Sequence, residues 1–169
     1  MPRRRTVRRR QRGGKSEIVE EIQFPNRETL RAGFKDTEVK GQKLPLAETQ
    51  EQPLVFWKGP PVGELRTFLC IDPDASAKSW LHWMFTNCKG VDPSSGDEIV
   101  SWAPPSPPKR SGTHTYYFMT FSHVFPITVP SPAQRGYFKV KEFADKYGLT
   151  PVSVASFQTA AQAGGRKKV

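Results

Sequence analysis

Three histidines and one short acidic run are the residues whose types and spacing suggest chemistry. His82 lies in SWLHWMFTN between Trp80 and Trp83, His114 follows the loop APPSPPKRSGT, and His123 closes the run that His114 opens. Upstream, IDPDAS puts Asp72 and Asp74 at the end of an apolar stretch. Four prolines stiffen the loop before His114, and Gly112 permits a positive φ or a close approach. Such a loop brings backbone N–H groups and His114 to one fixed place, so two histidines, two acids and a rigid loop predict a small polar pocket. Histidine and carboxylate ligands suit a metal. No HxH, HxxxH or CxxC spacing accompanies them, so no metal and no cofactor is assigned. No serine stands in a GxSxG-type elbow, and the chain reads as non-enzymatic. An anion pocket suits the residue types best, with imidazoles and loop N–H groups donating while the acids orient the rings. His123, alone at its end of the run, reads as structural.

The elements that must position these residues are mostly strands. Short β-like runs separated by Gly, Pro, Asn and Asp occur at 30–34, 54–57, 65–72, 81–87, 98–102, 115–123 and 152–157. In the run 65–72, Phe68 and Cys70 share a face with Asp72 while Leu69 and Ile71 take the other, which predicts a central strand buried on both sides. One helix is legible: Val140, Phe143, Ala144 and Tyr147 recur at i, i+3, i+4 and i+7, and Gly148 and Pro151 stop it. Residues 16–28 carry no legible pattern.

Length and composition bound the rest. The 169 residues suit one domain with an adequate core. A hydrophobic content of 36% with 16 prolines excludes a coiled coil, and no apolar run is long enough to span a membrane. Cys70 and Cys88 make no disulfide framework, and no apolar segment follows the N-terminus. The sequence therefore predicts reduced thiols and an intracellular or virion-interior location, not a secreted protein. The net charge of +10 is concentrated at the ends. Arg3, Arg4, Arg5, Arg8, Arg9, Arg10, Arg12 and Lys15, with Arg166, Lys167 and Lys168, supply eleven of the 26 cations and no acid. Residues 16–165 carry a net charge of −1. A neutral body with basic tails predicts three parts: an arm over 1–15, a domain over 16–160 and a tail over 161–169. The arm is too poor in apolar side chains to order itself before it binds.

The runs DPDAS, WLHWMFTNCKG, SSG and PPSPPKRSGTH, in that order, resemble the phosphatidylethanolamine-binding proteins, also known as Raf kinase inhibitor-like proteins. That family carries a D-P-D-x-P turn, a histidine followed by an aromatic residue on the next strand, and a G-x-H-R loop end. The similarity runs from about Leu30 to Phe157. It implies a central antiparallel sheet packed on a second, smaller sheet, with an anion pocket near one edge. Carried over by motif, the pocket residues are Asp72, Asp74, His82, Pro107, Gly112, His114 and Tyr116. Three features depart from the pattern. Ser76 stands where the second proline is usual, Thr115 replaces the arginine after the motif histidine, and only five residues separate Asp74 from Trp80. The short loop predicts a pocket lacking one wall.

Two functions follow. The basic tails and the altered motif favour a structural component of a large particle, a ribonucleoprotein such as a mitochondrial ribosome or a viral capsid. In that case the arm contacts nucleic acid or neighbouring subunits. The alternative is a regulator that binds a phosphate-containing head group or phosphopeptide through the pocket.

Overall fold

The computed structural model describes residues 22–26 and 28–162. The arm over 1–15, with its eight cations, and residues 163–169 lie outside the described residues. Among the described residues the strands are β1 (Leu30–Phe34), β2 (Thr37–Glu38), β3 (Leu54–Trp57), β4 (Leu65–Asp72), β5 (Trp80–Cys88), β6 (Asp97–Val100), β7 (Thr113–His123) and β8 (Thr150–Ala160), with one α-helix, α1 (Val140–Tyr147), before β8. They form a five-stranded antiparallel sheet ordered β6-β5-β4-β7-β8 and a three-stranded one ordered β2-β1-β3. Every strand read from the sequence is present. The expected run at 98–102 ends instead at Val100, because Ala103 leaves the sheet to bond His82. Two-residue β2 is too short to show a periodicity.

β4 is the central strand and all eight of its residues are buried. On one face Phe68 and Cys70 join Trp83, Phe118, Phe157 and the small sheet's Val55 and Trp57 in one core. On the other, Leu69 and Ile71 pack with Met119, Phe121 and the helical residues Val140 and Ala144. The large sheet is therefore the middle layer, between the small sheet and α1 with its flanking loops. The α1 stripe is the one its 3.6-residue period marks, and Gly148 ends it in the left-handed region.

The segment without a legible pattern is held by particular contacts. Ile22 enters the helix-side core, and the Phe24 ring meets Phe121 edge-on at 5.5 Å. Asn26 Oδ1 accepts the Val154 N–H at 3.1 Å. Glu28 pairs at 2.9 Å with Arg66, whose side chain is only 4% exposed on β4.

Candidate functional site

Asp72 ends β4, and its side chain lies on the face that Phe68 and Cys70 share with the small sheet. β7 runs antiparallel beside β4, so the alternation His114, Tyr116, Phe118 puts both ring-bearing site residues on that same face. His82 reaches it by a different route. Along β5, Trp83 and Phe85 face the small sheet, so simple alternation turns His82 toward α1. The ladder has a register shift there: Cys70 pairs with Trp83 and Ile71 with Leu81, leaving His82 as an extra residue. This bulge lets neighbouring His82 and Trp83 share one face. Its backbone stays satisfied from outside the ladder, since the His82 carbonyl accepts Ala103 N–H at 2.9 Å and Arg135 Nη1–H at 3.2 Å.

The result is a cavity of about 190 Å³ bordered by Asp72, His82, Pro107, His114, Tyr116 and Trp80. Asp72 is its electrostatic centre. Oδ2 accepts His114 Nδ1–H at 2.7 Å, Oδ1 accepts the Asp74 N–H at 2.8 Å, and the Tyr116 hydroxyl also donates to the carboxylate. Burial, with Asp72 beside it, holds the Tyr116 phenol far above its ordinary range, so it remains a donor. His114 Nε2 lies 2.8 Å from Ser111 Oγ, which also reaches the Pro108 carbonyl at 2.7 Å. Both nitrogens of His114 are thus committed to the protein. His82 donates Nδ1–H to the Ala103 carbonyl at 2.6 Å, leaving Nε2 for the cavity. Burial lowers the proton affinity of His82 below the ordinary imidazole value. The Ala103 bond and Asp72 oppose that effect, while Arg135 and His114 reinforce it. Trp80 and Tyr116 meet the His82 ring edge-on at 4.6 and 5.1 Å, and Tyr116 stacks on Phe157.

Of the seven pocket residues named from the sequence, Asp72, His82, Pro107, His114 and Tyr116 come together at the cavity. Asp74 does not line it. Its Oδ2 accepts the Thr115 N–H at 2.8 Å, clamping the DPDAS turn to β7. Gly112 also lies off the wall, in the turn that launches β7, where its φ of +80° requires the left-handed region. The expected missing wall is a further correction: Ala75, Ser76 and Trp80 build it. That short loop is braced by segment 135–138, through Leu81 N–H to Arg135 O and Tyr137 N–H to Ala77 O, each at 2.9 Å. The approach is so close that a Cβ on Gly136 would stand 2.8 Å from that of Ala77. The Arg135 guanidinium caps the Trp80 ring at 5.3 Å.

Ser111 and Arg135 were missed by sequence reasoning. Ser111 has a weak signal, three residues before His114 in a rigid loop, whereas nothing local marks Arg135. His123 is structural, as read: its Nδ1–H donates to the Phe125 carbonyl and Nε2 accepts from Thr67 Oγ1. The two cysteines are buried and unbridged; burial raises both thiols, that of Cys88 to about 12. Among the described residues no group of three His, Cys, Asp or Glu side chains is placed to hold a metal, and no helix is long and apolar enough to cross a membrane.

The cavity carries no lysine or arginine on its wall. Its polar groups are the triply hydrogen-bonded Asp72 carboxylate, the His82 nitrogen without a protein partner and, on the wall, Ser76 and Ser106. It can take up a small polar group, and an anion once His82 carries a second proton.

Comparison with known proteins places the chain. The family model described as phosphatidylethanolamine-binding protein matches residues 23–158. Among solved structures, a phosphatidylethanolamine-binding protein from Plasmodium vivax superposes with a TM-score of 0.72 at 17% identity, covering 87% of this chain and 94% of its own. The corresponding protein from Plasmodium falciparum gives 0.66 at 21%, covering 83% and 87%. A carboxypeptidase Y inhibitor, solved in complex with its cognate proteinase, gives 0.71 at 18%, covering 80% and 84%.

Proposed function

The chain belongs to the phosphatidylethanolamine-binding protein family, and from that premise we propose that it is a non-enzymatic binding module whose imidazole pocket takes a small phosphate-like anion. One observation carries the reading: Asp72, His82, His114 and Tyr116, spread over three strands, converge on one cavity of about 190 Å³. That is roughly six water volumes and below the usual range of small-molecule sites, so it suits a head group and not a whole drug-sized ligand. The state of the thiols and the phenol supports the non-enzymatic part of this reading. Both thiols are buried and raised, and the phenol is held protonated. Titration with inorganic phosphate and with O-phosphoethanolamine, followed by imidazole NMR, tests the reading. Both His82 and His114 resonances should move in a saturable way; unmoved resonances would overturn it.

The charge partition favours a second element, a tether. Eleven of 26 cations lie in the tails of a near-neutral body, and an arm of that kind binds phosphate backbones without reading sequence. This keeps the assembly role, in a ribonucleoprotein or capsid, as the lesser reading, since it rests on charge alone. Nucleic-acid binding that falls steeply with salt and disappears on removing residues 1–15 supports it. A flat salt dependence refutes it.

A further inference from the structure

A second cavity shares the Ala75–Trp80 loop with the first. It measures about 390 Å³, twice the size of the imidazole pocket and within the usual range for small-molecule sites. Lys78 and Ser79 border it from the loop, Tyr137 and Phe138 from the bracing segment, and the first turn of α1 closes it. Much of its wall is hydrocarbon: the two rings, Val140 and the lysine stems.

Two independent features of this cavity point to an anion. The N-terminus of α1 has no side-chain cap from Lys139, and the amides of Val140 and Glu142 belong to the first turn, which a helix cannot pair internally. The second feature is Ser79. It is 2% exposed, lies in the wall of this cavity, and its hydroxyl has no hydrogen-bond partner. A buried hydroxyl without an acceptor is unfavourable, and such groups in native proteins point to a missing polar partner. The surrounding charges set the ligand's own charge. Lys139 pairs with Glu142 at 3.5 Å and Lys141 with Asp145 at 2.9 Å. Lys78 has no ion pair among the described residues, which leaves one positive charge over.

We propose that this cavity is a second ligand site for a monoanionic amphiphile. A carboxylate or phosphate-ester head accepts from the Ser79 hydroxyl and the first-turn amides of α1, with Lys78 as its counter-charge. Its apolar body lies along Tyr137, Phe138 and Val140. The site is separate from the imidazole pocket and does not depend on what binds there.

Decanoate below its micelle concentration is the probe, titrated into the full chain and followed by amide NMR, with decylamine and decanol as controls. Decanoate should give saturable shifts centred on residues 78–79 and 137–142, and the controls should not. Ser79→Ala should weaken binding about tenfold, the cost of one hydrogen bond to a charged group. Its melting temperature should not fall, because the substitution removes an unpartnered hydroxyl. Lys78→Asn, whose side chain tolerates the left-handed backbone at this position, should weaken binding severalfold and reduce its salt dependence. His82→Asn should leave it unchanged. Co-sedimentation with anionic phospholipid vesicles assigns the head to a lipid, and its absence to a free amphiphile; both outcomes keep the site. The proposal is overturned if decanoate moves no amide in these segments, if decylamine or decanol binds equally well, or if Ser79→Ala binds decanoate unchanged.

Discussion

Anion binding in the imidazole pocket should require a proton, and His82 is the group that takes it. In the free protein Nδ1–H is committed to Ala103, so Nε2 offers a lone pair to an incoming anion. Burial already disfavours the second proton. The groups around the ring are Asp72, His114, Tyr116, Trp80, Trp102 and Arg135, and none of them donates a free charge to the cavity. An ion pair at about 4 Å has a ceiling of about 4 kcal/mol at an effective dielectric constant of about 20. A net charged hydrogen bond contributes about 1.5–3 kcal/mol, or roughly ten- to a hundredfold in affinity.

Linkage sets the slope. While one proton is taken up per anion, affinity falls by up to about tenfold per pH unit as pH rises. The window opens at the depressed His82 value of the free protein, below 6.5, and extends upward to the higher value that the bound anion imposes. The same depression makes the free protein less stable in acid. The unfolded chain protonates near 6.5 while folded His82 resists, so stability is lost as pH drops below that point. Sulfate is the proper probe, because it does not itself titrate in this range. Calorimetry in two buffers of different ionisation enthalpy counts the protons. His82→Asn retains a donor toward Ala103 and removes Nε2, so its sulfate affinity should be weak and flat with pH. A native affinity that is flat between about pH 5 and 8, or a slope that survives in His82→Asn, would refute the reasoning.

Further outcomes are expected. Arg66→Ala leaves Glu28, with a side chain only 10% exposed, facing a lost partner, and should cost about 3–5 kcal/mol in urea unfolding; a loss under about 1 kcal/mol means the pair is not a buried anchor. Cys70 and Cys88 should resist Ellman's reagent in the native protein and both react in denaturant; fast native labelling contradicts their burial. Removing residues 1–15 should leave the thermal midpoint nearly unchanged, because the core is built from residues 22–157. A drop of many degrees would show that the arm packs on the body.

Local sequence determined every strand but β2, the helix and the Asp72, His82 and His114 positions of the pocket, while Pro107 and Tyr116 came from the family resemblance. Alternation in 65–72 requires a strand buried on both faces, the i, i+3, i+4 stripe of α1 requires one apolar side, and both follow from backbone periods that a few residues reveal. The motifs around Asp72, His82 and His114 were legible because rigid turns are written in proline, glycine and aspartate. Tertiary structure decided what those motifs do. Asp74 looks like a second pocket acid, but the antiparallel pairing of β4 with β7 brings the Thr115 amide within reach and makes it a clamp. His82 reaches the pocket only through a bulge, which exists relative to β4 and leaves no trace in β5 itself. Arg135 and Gly136 act 53 or more residues from the groups they support. The wall that a short loop was expected to lose is present because that distant segment packs behind it. Periods and turns are properties of neighbours along the chain, whereas register, clamps and cavity walls exist only once remote strands have been paired.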